Sequence, residues 1–213
     1  GGGGPPPPPP RSPPPGPPPP PGGGPLPPPG GRGGAPPPGP PPRTPPRRAD
    51  LPPAGGGRGG GAPPAGPEHA SRIQACLEGA PDYFARTEGS PPASDAGARL
   101  LADAEGDDLR RVYLLVHAAG GSAVGVLDLY LHHPEPGVAH VALLLFRESC
   151  QGLGYGKETT AALEDALVRC GYRTLRLSVG DENPEARAFW ERIGFAEIGR
   201  LDRGVSVFEK KIA

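Results

Sequence analysis

The chain of 213 residues contains no methionine, one tryptophan, and three lysines against nineteen arginines. Without a Met anywhere, residue 1 is not expected to be a translational start, and the surplus of Arg, Ala, Gly and Pro is what GC-rich coding DNA yields. No apolar stretch approaches the ~20 residues that cross a bilayer as a helix, and no segment has the layout of a signal peptide, so no membrane contact is expected. Cysteine is scarce. Cys76, Cys150 and Cys170 show no metal-ligand spacing and three cannot all pair, which predicts thiols in a reducing cytosol and no metal site.

Aliphatic side chains are missing from the first third. Residues 1–67 hold 31 Pro and 20 Gly, and their only large aliphatic residues are Leu26 and Leu51. Such a stretch cannot bury enough apolar surface to offset its ordering entropy, so a disordered tail with polyproline II segments is expected. Its functional reading is "PPPPPPRSPPP" or "PPRTPPRR" as ligands for aromatic-lined grooves. The alternatives are a solvated linker or a gene-model artefact, an out-of-frame upstream stretch. Residues 68–213 read as one globular domain. The tail carries six Arg against Asp50, whereas the domain carries 16 basic and 22 acidic residues. That acidic balance argues against a nucleic-acid footprint.

Within the domain the apolar periodicity predicts a mixed α/β sheet in the order α-α-β-β-β-α-β-α-β-β. "HASRIQACLEGA" (69–80) is a helix stopped by Pro81, "PDYFARTEG" a loop, and 93–104 a second helix. "RRVYLLVHA", "SAVGVLDLYL" and "VAHVALLLF" form an antiparallel meander. The six-residue connection 132–137 sets Leu131 opposite Val138, which puts Asp128 and His140 on opposite faces; a slip of one residue would make them neighbours. A helix (156–170), a strand (173–179), a helix capped by Asn183 with Pro184 at its first position, and a hairpin across "DRG" complete the chain.

One stretch demands explanation. "QGLGYG" (151–156) places glycines at every second position straight after an apolar strand. Strand, glycine turn and helix together present unpaired backbone N–H groups and a helix N-terminus to an anion. Glycine permits close approach and the dihedrals required. A Walker A loop does not fit, because Gly156-Lys157 is followed by Glu158 and Gln151 stands where the first Gly belongs. A dinucleotide fingerprint needs G-x-G-x-x-G in a parallel unit and does not fit either.

Gln151-x-x-Gly154-x-Gly156 resembles the [RQ]-x-x-G-x-[GA] pyrophosphate loop of the GNAT acyltransferases. Asn183-x-x-Ala186-x-x-Phe189-Trp190-x-x-x-Gly194-Phe195 is similar to that superfamily's later signature, N-x-x-A-x-x-F-[YW]-x-x-x-G-F. The resemblance covers about 69–213 and is to the small bacterial type. It departs in one respect: the superfamily normally has a strand before the first helix, and nothing before Glu68 reads as one, so the first strand is expected to be missing.

The resemblance implies acetyl-CoA as acyl donor and direct attack of a free amine, on a small molecule or a peptide, at the thioester carbonyl. By position, the backbone of Leu144 and Phe146 would hold the pantetheine arm where two strands splay. An N–H near Leu144 would stabilise the oxyanion. The N–H groups of Gln151, Gly152, Leu153, Gly154, Tyr155 and Gly156 would hold the pyrophosphate, and Asn183 would contact the cofactor from the facing helix. The superfamily's usual acid, a tyrosine, falls at Trp190, whose indole cannot serve as one. Asp128 and His140, polar within apolar strands, are candidate bases; Tyr155 is the nearest substitute acid, and a water relay is the third route. Tyr83 and Phe84 would wall the acceptor pocket, with Asp82 and Glu88 attracting an ammonium group. A catalytically silent acyl-CoA-binding module remains an alternative, as does a Pro-rich interaction protein with the domain as scaffold. Acceptor and oligomeric state are not legible.

Overall fold

The structure, a computed structural model, describes residues 63–118, 120–202 and 204–213. All of them fall in one compact unit. The Pro/Gly-rich reading of residues 1–62 lies outside the described residues. A six-stranded sheet in the order β1-β2-β3-β4-β6-β5 forms the middle layer. Its strands are β1 (Arg110–Val116), β2 (Ala123–Leu131), β3 (Val138–Phe146), β4 (Thr174–Gly180), β5 (Ala196–Leu201) and β6 (Val205–Lys211).

Two helices cover one face. In α1 (Ala70–Glu78) Ile73, Cys76 and Leu77 are buried; in α3 (Ala96–Glu105) Leu101 and Ala104 are buried. They pack on Val112, Val126 and Leu145. The two helices touch through Gly97, where a Cβ would come within 2.6 Å of the Ala70 carbonyl oxygen. The opposite face carries α4 (Tyr155–Arg169) and α5 (Pro184–Arg192). Leu163 and Leu167 of α4 and Trp190 of α5 pack there against Leu127, Leu129, Val141 and Leu177. Alternation along β2 and β3 thus feeds two cores from one sheet.

The meander is antiparallel, as its short connections require, and β3 runs parallel to β4 across α4. Among the described residues no strand precedes α1, and β1 stands at the sheet's edge. A single bond from the Ala65 N–H to the Val112 carbonyl (2.7 Å) touches that edge, and Ala65 is buried against α1 and α3.

The structure corrects two readings. "PDYFARTEG" is largely a helix, α2 (Pro81–Thr87), rather than a loop. Pro81 both stops α1 and supplies the favoured first helical position of α2. The Glu148 Oε1 accepts a bond from the Asp82 N–H at 2.8 Å, satisfying one of the donors a helix start leaves open. The register between β2 and β3 also differs by one residue: Leu131 lies opposite Ala139, and Tyr130 opposite His140. The turn sets this. His132 adopts φ 54°, its Nδ1 accepts from the Gly137 N–H, and its Nε2 pairs with the Tyr172 hydroxyl at 2.9 Å. Asp128 and His140 therefore share a face.

Candidate active site

Beyond Val141 the β3–β4 pairing stops, although β3 continues to Phe146 and β4 to Gly180. The cause is a β-bulge. Asp128 pairs with Leu143 and Leu129 with Val141, leaving Ala142 as an extra residue that bends β3 away from β4. The opening is a cleft of about 280 Å³. Residues 141–144 form one wall and residues 177–180 the other. Asn183, Ala186 and Trp190 close one side, while Tyr83 and Thr87 from α2 lie at the mouth. Unpaired strand backbone beside an apolar slot suits a slender, amide-bearing ligand arm.

At the end of β3 the chain passes through a short 3₁₀ turn (Glu148–Cys150) into the glycine stretch. Its three glycines have different reasons. Gly152 and Gly154 adopt φ 73° and 88°, the left-handed region that favours glycine, and a Cβ on either would meet nothing. Gly156 is needed for space: a Cβ there would lie 3.0 Å from the Phe189 ring of α5. The two sequence blocks thus meet physically. The Gln151 side-chain amide donates to the Phe146 carbonyl at 3.1 Å, closing the loop, and Gly154 is the N-cap of α4. Gln151, Gly152, Leu153 and Gly154 are exposed at the start of a fifteen-residue helix, a place that favours an anion, although the Gln151 N–H already donates to the Glu148 carbonyl at 3.1 Å.

Asn183 caps α5 through its Oδ1, which accepts from the Ala186 N–H at 3.2 Å, and it lines the cleft, as does Leu144. Phe146 lies outside the lining, stacked on Tyr155 with ring centroids 6.2 Å apart. Tyr155 also meets His117 edge-on and packs into the α4-side core rather than into the cleft. Trp190 is buried between Phe189 and Phe195.

Asp128 is 3% exposed and receives a two-pronged contact from Arg110, Nε at 3.0 Å and Nη2 at 2.7 Å. Both carboxylate oxygens are occupied, and the Arg110 guanidinium is raised further in pKa chiefly by that bond. His140 is half-buried, 5.5 Å ring to ring from His133. Burial, then the neighbouring His133 and Arg176, push its pKa down to about 4, so its imidazole is neutral over the ordinary range. Neither residue lines the cleft. The bulge at Ala142 and the lining roles of Thr87 and Glu182 escaped sequence reasoning. The bulge leaves no local signal, but Glu182, just after a strand and beside the Asn183 cap, was in reach.

A family model, described as acetyltransferase (GNAT) family, matches residues 78–195. The chain belongs to that family. An acetyltransferase of Thermus thermophilus has a solved structure with a TM-score of 0.64 and 30% identity, covering 70% of this chain and 94% of that one. The PaiA N-acetyltransferase of Thermoplasma acidophilum, solved in complex with coenzyme A, shares the fold at 14% identity and a TM-score of 0.56, over 69% and 95% of the two chains. Among curated proteins, the 5-NmdU N-acetyltransferase of Pseudomonas phage PaMx11 is 34% identical over 65 residues, 30% of this chain and 44% of that protein. The match thus spans less than half of that relative's length. In this GNAT acetyltransferase the bulged strand β3 forms one wall of the cleft and then leads into the glycine stretch.

Proposed function

We propose that this GNAT protein transfers the acetyl group of acetyl-CoA to a primary amine, on a small molecule or a peptide, by direct attack on the thioester. The observation that carries the reading is the bulge-opened cleft between β3 and β4, whose wall strand β3 runs on into the glycine stretch. The pyrophosphate is assigned to the N–H groups from Gly152 to Gly156 at the start of α4; the Gln151 N–H, expected to join them, is instead engaged by the Glu148 carbonyl. The pantetheine arm is assigned to the β3 backbone from Leu144 to Phe146, with Asn183 beside it. Within this assignment the Leu144 N–H faces the thioester oxygen and stabilises the oxyanion that forms there. Acyl-CoA supplies an activated carbonyl; the protein's part is to hold it against an entering amine and exclude competing water.

Asp128 is committed to Arg110, and Tyr155 is stacked on Phe146; both are therefore weaker candidates for proton transfer than His140. A neutral imidazole held to a pKa of about 4 is a weak base. It suits the step after attack, when the nitrogen bears positive charge and has become strongly acidic, with a water relay spanning the gap from β3. The three cysteines form no disulfide, which agrees with the reducing, cytoplasmic setting that we propose. No described helix is long and apolar enough to cross a membrane.

The test is calorimetric titration of acetyl-CoA into the full chain beside its Gly154→Asp variant, followed by thiol release with a panel of amines. Binding lost in the variant and amine-dependent release support the reading. Binding without release from any amine leaves an acyl-CoA-binding module, and binding unaffected by Gly154→Asp removes the glycine stretch from the site.

A further inference from the structure

The cleft mouth has an uneven charge. Among the described residues that line the cleft there is no Lys, Arg or His, and the single ionisable carboxylate is Glu182. It follows β4 directly, and its carboxylate folds onto Gly180, in the space a side chain there would fill. Across the mouth stands Tyr83 of α2. Burial raises the pKa of its phenol, and the carboxylates of Glu88 and Glu182 add to the rise. Tyr83 and Glu182 both line the cleft, one from α2 and the other from the chain just after β4.

Three other acidic groups nearby are already engaged. Asp181 pairs with Arg200, Glu185 with Arg86 at 3.0 Å, and Glu148 with the Asp82 N–H at 2.8 Å. Among the described residues Glu182 and Glu88 have no cation within ion-pair distance. A carboxylate kept beside an apolar slot without a partner favours a cationic ligand and opposes an anionic one.

We propose that Glu182, with the Tyr83 phenol beside it, makes this acetyltransferase select acceptors bearing a second positive charge besides the reacting amine, against amines that carry a carboxylate. The inference rests on the amine-acetylating reading above and specifies the class of acceptor. Glu182 accepts hydrogen bonds from the acceptor's remote ammonium at the mouth, the Tyr83 oxygen accepts another, and the alkyl portion lies along the apolar walls. Charge-assisted bonds of this kind hold one end of the acceptor while the other is directed at the thioester. Glu182 is a specificity-determining residue here and takes no part in bond making.

The experiment measures binding separately from turnover. Three probes of equal length, a linear alkyl diamine, the corresponding monoamine and the ω-amino acid, are titrated into the full chain saturated with coenzyme A. The same titrations use Glu182→Gln and Tyr83→Phe. We expect the diamine to bind at least tenfold more tightly than the amino acid. Glu182→Gln should bring that ratio to within about threefold while leaving coenzyme A affinity unchanged, and Tyr83→Phe should reduce it by a smaller factor. A ratio near one in the unmodified protein, or one that survives Glu182→Gln, overturns the proposal, as does failure of the diamine to bind. Thiol release with the same probes reads the other question. A diamine that binds selectively without releasing thiol supports the acceptor class while refuting the acetyl-transfer reading, so the two failures are distinguishable.

Discussion

His140 shows how a single buried ring ties the sheet to pH. Its folded pKa of about 4 lies below the ~6.5 of an unfolded histidine, because burial and the like charge of His133 and Arg176 oppose protonation. Between those two values the unfolded chain holds a proton that the folded chain does not. Folding stability therefore falls as pH drops from about 6.5 to about 4 and stops changing on this account below that. The ring is half-buried, so solvent screens part of the effect, and on the order of 1–2 kcal/mol is expected. In His140→Leu the difference in unfolding free energy between pH 7 and pH 4 should shrink by that amount, measured by urea denaturation at both values. The carboxylates are common to both proteins and cancel in the comparison. An identical pH dependence in the variant would mean that the ring is solvated. Asp128 differs in kind: its charge is matched by Arg110 on the adjacent strand, which explains a carboxylate within an apolar strand without any catalytic role. Sequence reasoning found both polar residues but had no means of seeing their partners.

At the scale of elements, α4 and α5 meet where Gly156 faces Phe189. Helix propensity alone says that Gly156→Ala should stabilise α4 by about 1 kcal/mol. The 3.0 Å approach to the ring reverses the sign, since an added methyl in a packed contact costs about 1–3 kcal/mol. We expect Gly156→Ala to lower the melting temperature and to weaken acetyl-CoA binding by shifting the α4 N-terminus. Phe189→Leu in the same chain should recover part of the stability, with coupling of about 0.5–3 kcal/mol between the two sites. Strict additivity would show that the helices do not touch there. The same contact explains what was legible in the sequence. The glycine stretch and the later signature are read easily because dihedral freedom and close approach restrict residue type locally. The helical character of α2 was not legible, because the Glu148 carboxylate that satisfies its first turn comes from 66 residues further along the chain. The β2–β3 register escaped for a similar reason, being fixed by the Tyr172 hydroxyl on His132. The bulge at Ala142, on which the cleft depends, inserts one apolar residue into a run of them and so leaves no mark in the apolar pattern.

Across the whole molecule the cleft is where otherwise separate parts converge. Its walls are β3 and β4, its side is α5, and its mouth is α2. α2 is tethered at both ends, to the chain before the glycine stretch through Glu148 and to α5 through Arg86 and Glu185. A ligand that fills the splay bonds the two strand edges that the sheet leaves unpaired, and so favours the folded state of all of these elements together. By mass action a ligand at a hundredfold its dissociation constant contributes about 2.7 kcal/mol. In a domain of this size each kcal/mol moves the melting temperature by about 2–4 °C. Saturating acetyl-CoA should therefore raise the melting temperature by about 5–10 °C in a single cooperative transition, read by scanning calorimetry. Gly154→Asp should abolish the rise, because a side chain at φ 88° strains the turn and its carboxylate meets the phosphates with like charge. A ligand-induced shift confined to a separate, minor transition would show that the tethers on α2 do not transmit binding to the sheet, and that the cleft's elements unfold independently.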